Sequence, residues 1–220
     1  MLNIVIIGHN EFDSILSMYS SLKKYFPRAR RIWILDRCTD NSKKLLKLLK
    51  EEYHTKTIFS NGFGRKTSTN RNYGLSFCDE KADVLFLDGD RYIKLGNVNK
   101  LKDCKSDVIL FKTIGDHRVD NYSNYSGRIS NCFYSCGVLF KRDAINKIID
   151  FQGELFCTKV EKNWGSEDLY LGDVCHHLKL KIDFFEDCRL NGKFEKRLPE
   201  KYDSLKKRFE LRSKLNVLWY

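Results

Sequence analysis

Residues 84–90 read Val-Leu-Phe-Leu-Asp-Gly-Asp, a short apolar run that passes directly into two aspartates separated by one glycine. An apolar run of this length that ends in turn residues predicts a strand buried on both faces of a sheet. Asp88 and Asp90 can share one divalent cation there, because Mg²⁺ and Mn²⁺ prefer oxygen ligands. A polar turn containing glycine accounts for the same residues when they are taken in isolation.

The chain before this run repeats an order of strand and then helix. Strands are predicted at 3–8, 31–35, 57–59 and 84–87, and helices at 11–25, 42–53 and 68–77. This alternation indicates βαβ units and therefore an α/β fold with a Rossmann-like, mostly parallel sheet flanked by helices. Ligands of such sheets bind beyond the carboxyl ends of the strands. The polar segments 9–11, 36–40 and 88–90 are therefore expected to converge at one edge.

The second half of the chain is less regular. Strands are predicted at 108–111, 136–140 and 181–185, and helices at 142–149 and 169–178. Residues 189–220 contain ten Lys and Arg against four Asp and Glu, a net charge of +6. We expect one α/β domain over residues 1–190, followed by a basic helical extension over residues 191–220.

Composition limits the environment and the partners. No apolar run of about 18 residues is present, so no membrane-spanning helix is expected. The N-terminal residues predict a strand and not a signal peptide, and the eight scattered cysteines predict reduced thiols in a cytoplasm, that of a bacterium or of a phage-infected host. Cys132 and Cys136 leave a metal pair open as an alternative. The net charge of +11 suggests an anionic acceptor, such as nucleic acid or anionic lipid, or else a generally basic surface.

An acidic pair, Glu167-Asp168, follows Trp164-Gly165-Ser166 at the start of a predicted helix. Carboxylates in the first turn of a helix often do no more than stabilise its dipole. In a cleft, the same carboxylates can deprotonate an acceptor hydroxyl as a general base. The indole of Trp164 can form a platform for the face of a sugar.

Two further segments carry weaker signals. Residues 36–42 (Asp-Arg-Cys-Thr-Asp-Asn-Ser) indicate either a turn with a helix N-cap or a carboxylate, Asp36, that binds a nucleotide base. Arg71 lies on a predicted helix and can compensate the charge of a diphosphate, although a solvent-exposed helix face explains it as well.

The order of these segments resembles the nucleotide-sugar glycosyltransferases of the GT-A fold, particularly their large family 2. The similar segments are 3–11 (NIVIIGHNE), 36–42 (DRCTDNS), 71–74 (RNYG) and 87–90 (LDGD). Residues 136–144 (CGVLFKRDA) and 164–168 (WGSED) resemble a block of the animal galactosyl- and N-acetylgalactosaminyltransferases. The resemblance extends over roughly residues 3–187.

The resemblance implies a role for each matching residue. Asn10, Glu11 and Asp36 would line the base and ribose of a UDP-sugar, and Arg71 would lie near this donor. Asp88 and Asp90 would hold sugar, ribose and Mn²⁺ or Mg²⁺, and Asp168 would be the base, with Glu167 positioning hydroxyl groups. Two departures are evident. Arg37 stands where the family has a second acidic residue, and residues 187–192 lack the metal-binding histidine of many relatives, which leaves the third metal ligand open. His176 and His177 are interpreted as packing or surface residues.

The resulting hypothesis is a metal-dependent transfer of a sugar to an acceptor hydroxyl. Inversion at the anomeric carbon is expected, with retention as the alternative. The acceptor can be a hydroxymethylated base in DNA, as in phage-type enzymes, and the candidate contacts are Arg118, Tyr122, Tyr125 and Arg128. The competing acceptors are a glycan, a lipid-linked sugar and a protein side chain. The competing functions are a sugar-1-phosphate nucleotidyltransferase and a non-catalytic nucleic-acid-binding protein with a degenerate transferase fold.

Overall fold

The computed structural model describes residues 1–56, 67–113, 134–160 and 166–192. Within these ranges, eight strands form one sheet in the order β3-β2-β1-β4-β7-β6-β8-β5. The strands are β1 Leu2–Gly8, β2 Arg30–Asp36, β3 Glu52–Lys56, β4 Asp83–Asp88, β5 Arg91–Gly96, β6 Val108–Thr113, β7 Gly137–Phe140 and β8 Ile182–Gly192. The α-helices are α1 Phe12–Tyr25, α2 Ser42–Leu48, α3 Thr67–Leu75, α4 Arg142–Gln152 and α5 Ser166–His177, and two 3-10 helices span Val98–Asp103 and Thr158–Val160.

The sheet is mostly parallel, as the alternating sequence pattern predicts. The pairs β1–β2, β1–β4, β2–β3 and β6–β8 are parallel. Strand β7 runs antiparallel to β4 and β6, and β5 runs antiparallel to β8. The α/β fold with a Rossmann-like sheet flanked by helices is therefore confirmed.

The two faces of the sheet carry separate hydrophobic clusters. Alternate strand residues such as Val5 and Phe86 pack with residues of α4 and α5 on one face. Their neighbours, such as Ile6 and Leu85, pack with α1 and α2 on the other face. Because side chains alternate along a strand, Asp88 lies on the same face as Phe86, two residues earlier. The end of β4 therefore presents Asp88 on the face of α4 and α5.

The boundary between α2 and β3 differs from the sequence prediction. The expected helix at 42–53 ends at Leu48, and the third strand begins at Glu52. Lys50 has a φ of 55°, in the left-handed region, where a helix cannot continue. Aromatic residues then favour a strand, and Tyr53 pairs with Trp33 of β2. The expected strand residues 57–59 lie outside the described residues.

One strand and two element boundaries also differ from the sequence prediction. Strand β5 was not expected from the sequence, and β8 continues to Gly192 through its pairing with β5. Helix α5 begins at Ser166, three residues before the expected start, so Glu167 and Asp168 are helical. The expected division at residue 190 falls within β8, and residues 193–220 lie outside the described ranges, so the basic helical extension stays a prediction.

The described helices are all too short or too polar to cross a lipid bilayer. Seven cysteines fall in the described ranges, and each of them is a free thiol. Cys132 is not among them, so the alternative of a metal pair formed with Cys136 stays untested.

Candidate active site

The polar segments that follow β1 and β2 meet at the carboxyl edge of the sheet. Nδ1 of His9 donates to the carbonyl oxygen of Asp36 at 2.6 Å. Oδ1 of Asn10 accepts from the backbone N–H of Thr39 at 2.8 Å, and Nδ2 of Asn10 donates to the Thr39 hydroxyl at 3.2 Å. The expectation that these segments converge is therefore correct for β1 and β2.

Gly89 brings the segment after β4 to the same edge. Its N–H donates to the carbonyl oxygen of Ile7 at 2.7 Å. A Cβ atom at position 89 would lie 2.9 Å from Cγ of Glu11 and 3.2 Å from Cα of Gly8. Only glycine fits this approach without displacing its neighbours, so the Asp-Gly-Asp sequence allows the β4 turn to pack against the β1 turn.

Asp88 is held by a buried arginine of α3. Nη2 of Arg71 donates to Oδ1 of Asp88 at 2.9 Å, and the Arg71 side chain is only 4% exposed. The Nε and Nη1 groups of Arg71 are buried and have no hydrogen-bond partner among the described residues. The guanidinium carbon lies 5.4 Å from the centre of the Phe156 ring, a cation–π arrangement.

Glu167 and Asp168 stand in the first turn of α5, each with a hydroxyl partner. The Thr67 hydroxyl donates to Oε1 of Glu167 at 3.0 Å. The hydroxyl of Ser135, which directly precedes the turn into β7, donates to Oδ1 of Asp168. Glu167 is 6% exposed, and Asp168 is partly exposed. Neither hydroxyl was expected from the sequence, because both contacts join segments far apart in the chain.

Burial governs the acidity of this pair. Burial, with a contribution from the Asp168 charge, raises the pKa of Glu167 to about 7. The pKa of Asp168 is also raised by burial, although Arg71 and the hydrogen bond from Ser135 act in the opposite direction. A carboxylate whose pKa is raised toward neutrality is suited to accept or donate a proton.

Arg71 connects Asp88 electrostatically with the acid pair. Burial acts to lower the pKa of Arg71, but the charges of Asp88, Asp168 and Glu167 outweigh burial and raise it. The charge of Asp88 in turn contributes to the raised pKa of Asp168. Asp88, at the end of β4, and the acids of α5 therefore interact electrostatically with one another and with the guanidinium of Arg71.

Three residues that were expected at the donor side have partners within the fold. The Asn10 side chain also accepts from the backbone N–H of Asp40 at 3.3 Å, so it holds the turn after β2. Both carboxylate oxygens of Asp36 accept from Arg37, at 2.9 and 3.1 Å. Arg37 has a left-handed φ of 48°, which is unusual for a residue with a side chain. The departure at position 37 therefore adds a cation that pairs with Asp36. The side chain of Glu11 packs at Gly89.

Asp90 completes the acidic segment after β4. Its Oδ1 lies 3.3 Å from Nε of Arg91. Among the residues that the structure describes, no group of three His, Cys, Asp or Glu side chains is arranged as a metal site. A Mg²⁺ ion usually needs only one or two carboxylates, with water and substrate phosphates as its other ligands. The carboxylates of Asp88 and Asp90 are oxygen donors of the type that such an ion prefers, although each also pairs with an arginine.

Five of the expected site residues lie outside the described ranges. They are Trp164, Arg118, Tyr122, Tyr125 and Arg128. His176 and His177, at the end of α5, are both exposed, and the His177 ring lies 5.0 Å from that of Phe151. This agrees with the interpretation of the two histidines as surface residues.

The N-terminal part of the chain matches a known family. Residues 3–103 match the model of Glycosyl transferase family 2, a range that includes Arg71, Asp88 and Asp90. No curated protein matches the chain significantly.

Solved structures with the same fold include glycosyltransferases of low sequence identity. Residues 1–349 of S. aureus TarS are 18% identical with a TM-score of 0.69, over 100% of this chain and 67% of that chain. The mannosyltransferase PcManGT from Pyrobaculum calidifontis, in complex with GDP-Man and Mn²⁺, is 13% identical with a TM-score of 0.66, over 97% and 64% of the two chains. Glucosyl-3-phosphoglycerate synthase from Mycobacterium tuberculosis, in complex with Mg²⁺ and UDP, is 13% identical with a TM-score of 0.65, over 100% and 80%. Residues 3–103 of the chain are therefore similar to Glycosyl transferase family 2, and the described residues share the GT-A fold of these solved structures.

Proposed function

We propose that the enzyme transfers a sugar from a UDP-sugar to an acceptor hydroxyl, with inversion at the anomeric carbon. The observation that carries this proposal is the buried guanidinium of Arg71, which binds Asp88 and whose charge acts on Glu167 and Asp168. The positive charge of Arg71 beside Asp88 can compensate the negative charge of the donor diphosphate.

In this mechanism, Asp168 accepts the proton of the acceptor hydroxyl. The acceptor oxygen then forms a bond to the anomeric carbon, and the bond from that carbon to the diphosphate oxygen breaks on the opposite side. Glu167 orients hydroxyl groups beside Asp168, and Ser135 keeps the Asp168 carboxylate in place. Asp88 and Asp90 would hold Mn²⁺ or Mg²⁺, which stabilises the negative charge of the leaving diphosphate.

The donor nucleotide is proposed from relatives with the same fold. TarS is known in complex with UDP, and so is the mycobacterial synthase. PcManGT is known in complex with GDP-Man. A GDP-sugar is therefore the main competing donor for this chain, and a donor screen must include it.

The test is a screen of nucleotide sugars by release of the nucleoside diphosphate, with Mn²⁺, with Mg²⁺ and with a chelator. We expect metal-dependent release of UDP. Asp90→Ala should abolish this release, because it removes one of the two proposed metal ligands. Asp103→Ala is the matched control, since Asp103 is an exposed aspartate that lies before β6. Release from the Asp90→Ala variant at the wild-type rate would remove the proposed metal site.

For the acceptor, we propose a hydroxymethylated base in DNA. Support comes from the net charge of +11 and from the basic and aromatic residues of segment 116–134. A base in a duplex must leave the stack to reach Asp168. Adding hydroxymethylated DNA to the screen should accelerate UDP release and label the DNA, and DNA binding should weaken steeply with salt. Binding that does not change with salt would direct the search to glycan, lipid-linked or protein acceptors.

A further inference from the structure

Asn72, the residue after Arg71 on α3, joins this helix to the segment that follows α4. Its Nδ2 donates to the carbonyl oxygen of Phe156 at 2.7 Å, and its Oδ1 accepts from the N–H of Phe156 at 3.0 Å. A side-chain amide has the same donor and acceptor as a peptide group. Asn72 therefore pairs with Phe156 through two hydrogen bonds, as one strand residue does with another.

The segment held by Asn72 is tied to the next element by Glu154. Nδ2 of Asn72 also donates to Oε2 of Glu154 at 3.1 Å. Oε1 of Glu154 accepts from the backbone N–H of Thr158 at 2.5 Å and from its hydroxyl at 2.9 Å. Thr158 begins the 3-10 helix Thr158–Val160, which precedes α5 and its acid pair along the chain.

Phe156 is also the residue that supports the guanidinium of Arg71. Its ring is fully buried and lies 4.9 Å from the ring of Phe86. Phe86 is two residues before Asp88 on the same face of β4. A displacement of Phe156 would therefore move both the guanidinium of Arg71 and the segment that leads to α5.

We propose that Asn72 is a positioning residue, which fixes the segment 154–160 against α3 and so sets the distance between the Arg71–Asp88 pair and the acids of α5. The assignment rests on the proposed function of this site. Asn72 itself touches no reacting group, because its amide is used by Phe156 and Glu154. Its effect on transfer is expected to come through geometry, to which rates are sensitive on the scale of about 1 Å.

The test compares Asn72→Ala with Ser106→Ala. Ser106 is buried, and its hydroxyl donates to Asp183 at 2.6 Å, at the opposite edge of the sheet, so this control also loses a partly buried hydrogen bond. We expect Asn72→Ala to lower kcat for metal-dependent UDP release by about 10- to 100-fold, with KM for the donor changed less than about 3-fold. Ser106→Ala should keep the wild-type kcat. A wild-type kcat in folded Asn72→Ala would overturn the proposal.

Hydrogen exchange gives a second readout that does not depend on activity. In Asn72→Ala, faster amide exchange is expected at Phe156 and also in the first turn of α5. Faster exchange confined to 154–160 would mean that Asn72 has only a local structural role, and would overturn the proposal. If the wild-type protein releases no nucleotide from any donor, the proposed function fails, and the exchange result still decides whether Asn72 positions α5.

Asn72→Asp is the variant to use if Asn72→Ala does not fold. This change keeps the shape and the acceptor for the Phe156 N–H, but it places a carboxylate opposite the Phe156 carbonyl oxygen and Glu154. The same fall in kcat and the same exchange pattern are expected. Wild-type values of both would exclude a positioning role.

Discussion

At the level of single residues, burial determines how Glu167 and Asp168 can act. Two neighbouring carboxylates in a buried site titrate as a pair, so their apparent pKa values belong to both groups. Because burial and the Asp168 charge raise the pKa of Glu167 to about 7, the pair retains a proton more readily than exposed carboxylates would. Arg71 and a hydroxyl partner favour the ionised form of both acids, with Thr67 acting on Glu167 and Ser135 on Asp168. The assignment of Asp168 as the base is therefore a proposal that only its replacement can test.

Replacing the proposed base should affect chemistry more than binding. In Asp168→Asn, kcat for sugar transfer or donor cleavage should fall by about 10²- to 10⁴-fold, the usual contribution of a general base. UDP affinity, measured by calorimetry, should change little. Glu167→Gln is the comparison, and it should retain more activity because Glu167 is assigned only to positioning. Equal kcat values for Asp168→Asn and wild type would remove Asp168 from the mechanism.

The sequence predicts the acids that lie around Arg71 but not the hydroxyl groups that contact them. Asp88 and Glu167 are recognisable because each lies next to a second acidic residue in a short motif that suggests metal or proton chemistry. Ser135 and Thr67 are not, because a lone hydroxyl gains its role only from a partner brought close by folding. The pairing of Asp36 with Arg37 could not be predicted from the sequence either, since it depends on the left-handed backbone at Arg37.

At the level of secondary structure, the position of Arg71 depends on how closely α3 approaches the sheet. Gly74 lies one turn after Arg71, on the side of α3 that faces β1 and β2. A Cβ atom at position 74 would lie 2.3 Å from Cγ1 of Val5 and 3.1 Å from Cγ1 of Ile34. The absent side chain therefore sets the distance between helix and sheet, and with it the reach of Arg71 to Asp88.

Gly74→Ala should separate α3 from the sheet. In an unconstrained helix this change stabilises by up to about 1 kcal/mol, but overpacking against Val5 should reverse the sign and destabilise by about 1–3 kcal/mol. Urea unfolding measures this difference, with the exposed Ser76→Ala as the control near the end of α3. A Gly74→Ala protein as stable as wild type would show that the α3 contact adapts easily.

Sequence patterns predict the parallel half of the sheet better than the rest. The strands β1, β2 and β4 are continuous apolar runs, buried by helices on both faces, and so are visible in the sequence. Strand β5 (Arg91–Gly96) mixes charged and apolar residues and is a strand because it pairs with β8. The end of β8 likewise depends on a partner distant in sequence, which no local pattern reveals.

At the level of the whole molecule, the cost of keeping the acids of α5 buried should appear in the pH dependence of stability. Asp40 accepts hydrogen bonds from Ser42, and Glu52 accepts hydrogen bonds from Arg30, so the pKa of each carboxyl is lowered. Each group therefore stabilises the folded state at a pH above its pKa in the unfolded chain. The raised pKa of Glu167 has the opposite effect, because ionising Glu167 destabilises the folded state. The two effects separate by pH, because the lowered groups titrate below about pH 5 and Glu167 near neutrality.

The free energy of unfolding should therefore fall as pH rises from about 5 to 8. Between the unfolded pKa of Glu167, near 4.5, and its folded pKa of about 7, the folded state binds more protons than the unfolded state, so stability decreases with pH. The full shift corresponds to on the order of 3 kcal/mol. Urea unfolding at several pH values measures the slope, and Glu167→Gln should reduce it. Identical slopes in wild type and Glu167→Gln would mean that the pKa of Glu167 is not raised by folding. The proposal that the acid pair retains a proton near neutral pH would then be wrong.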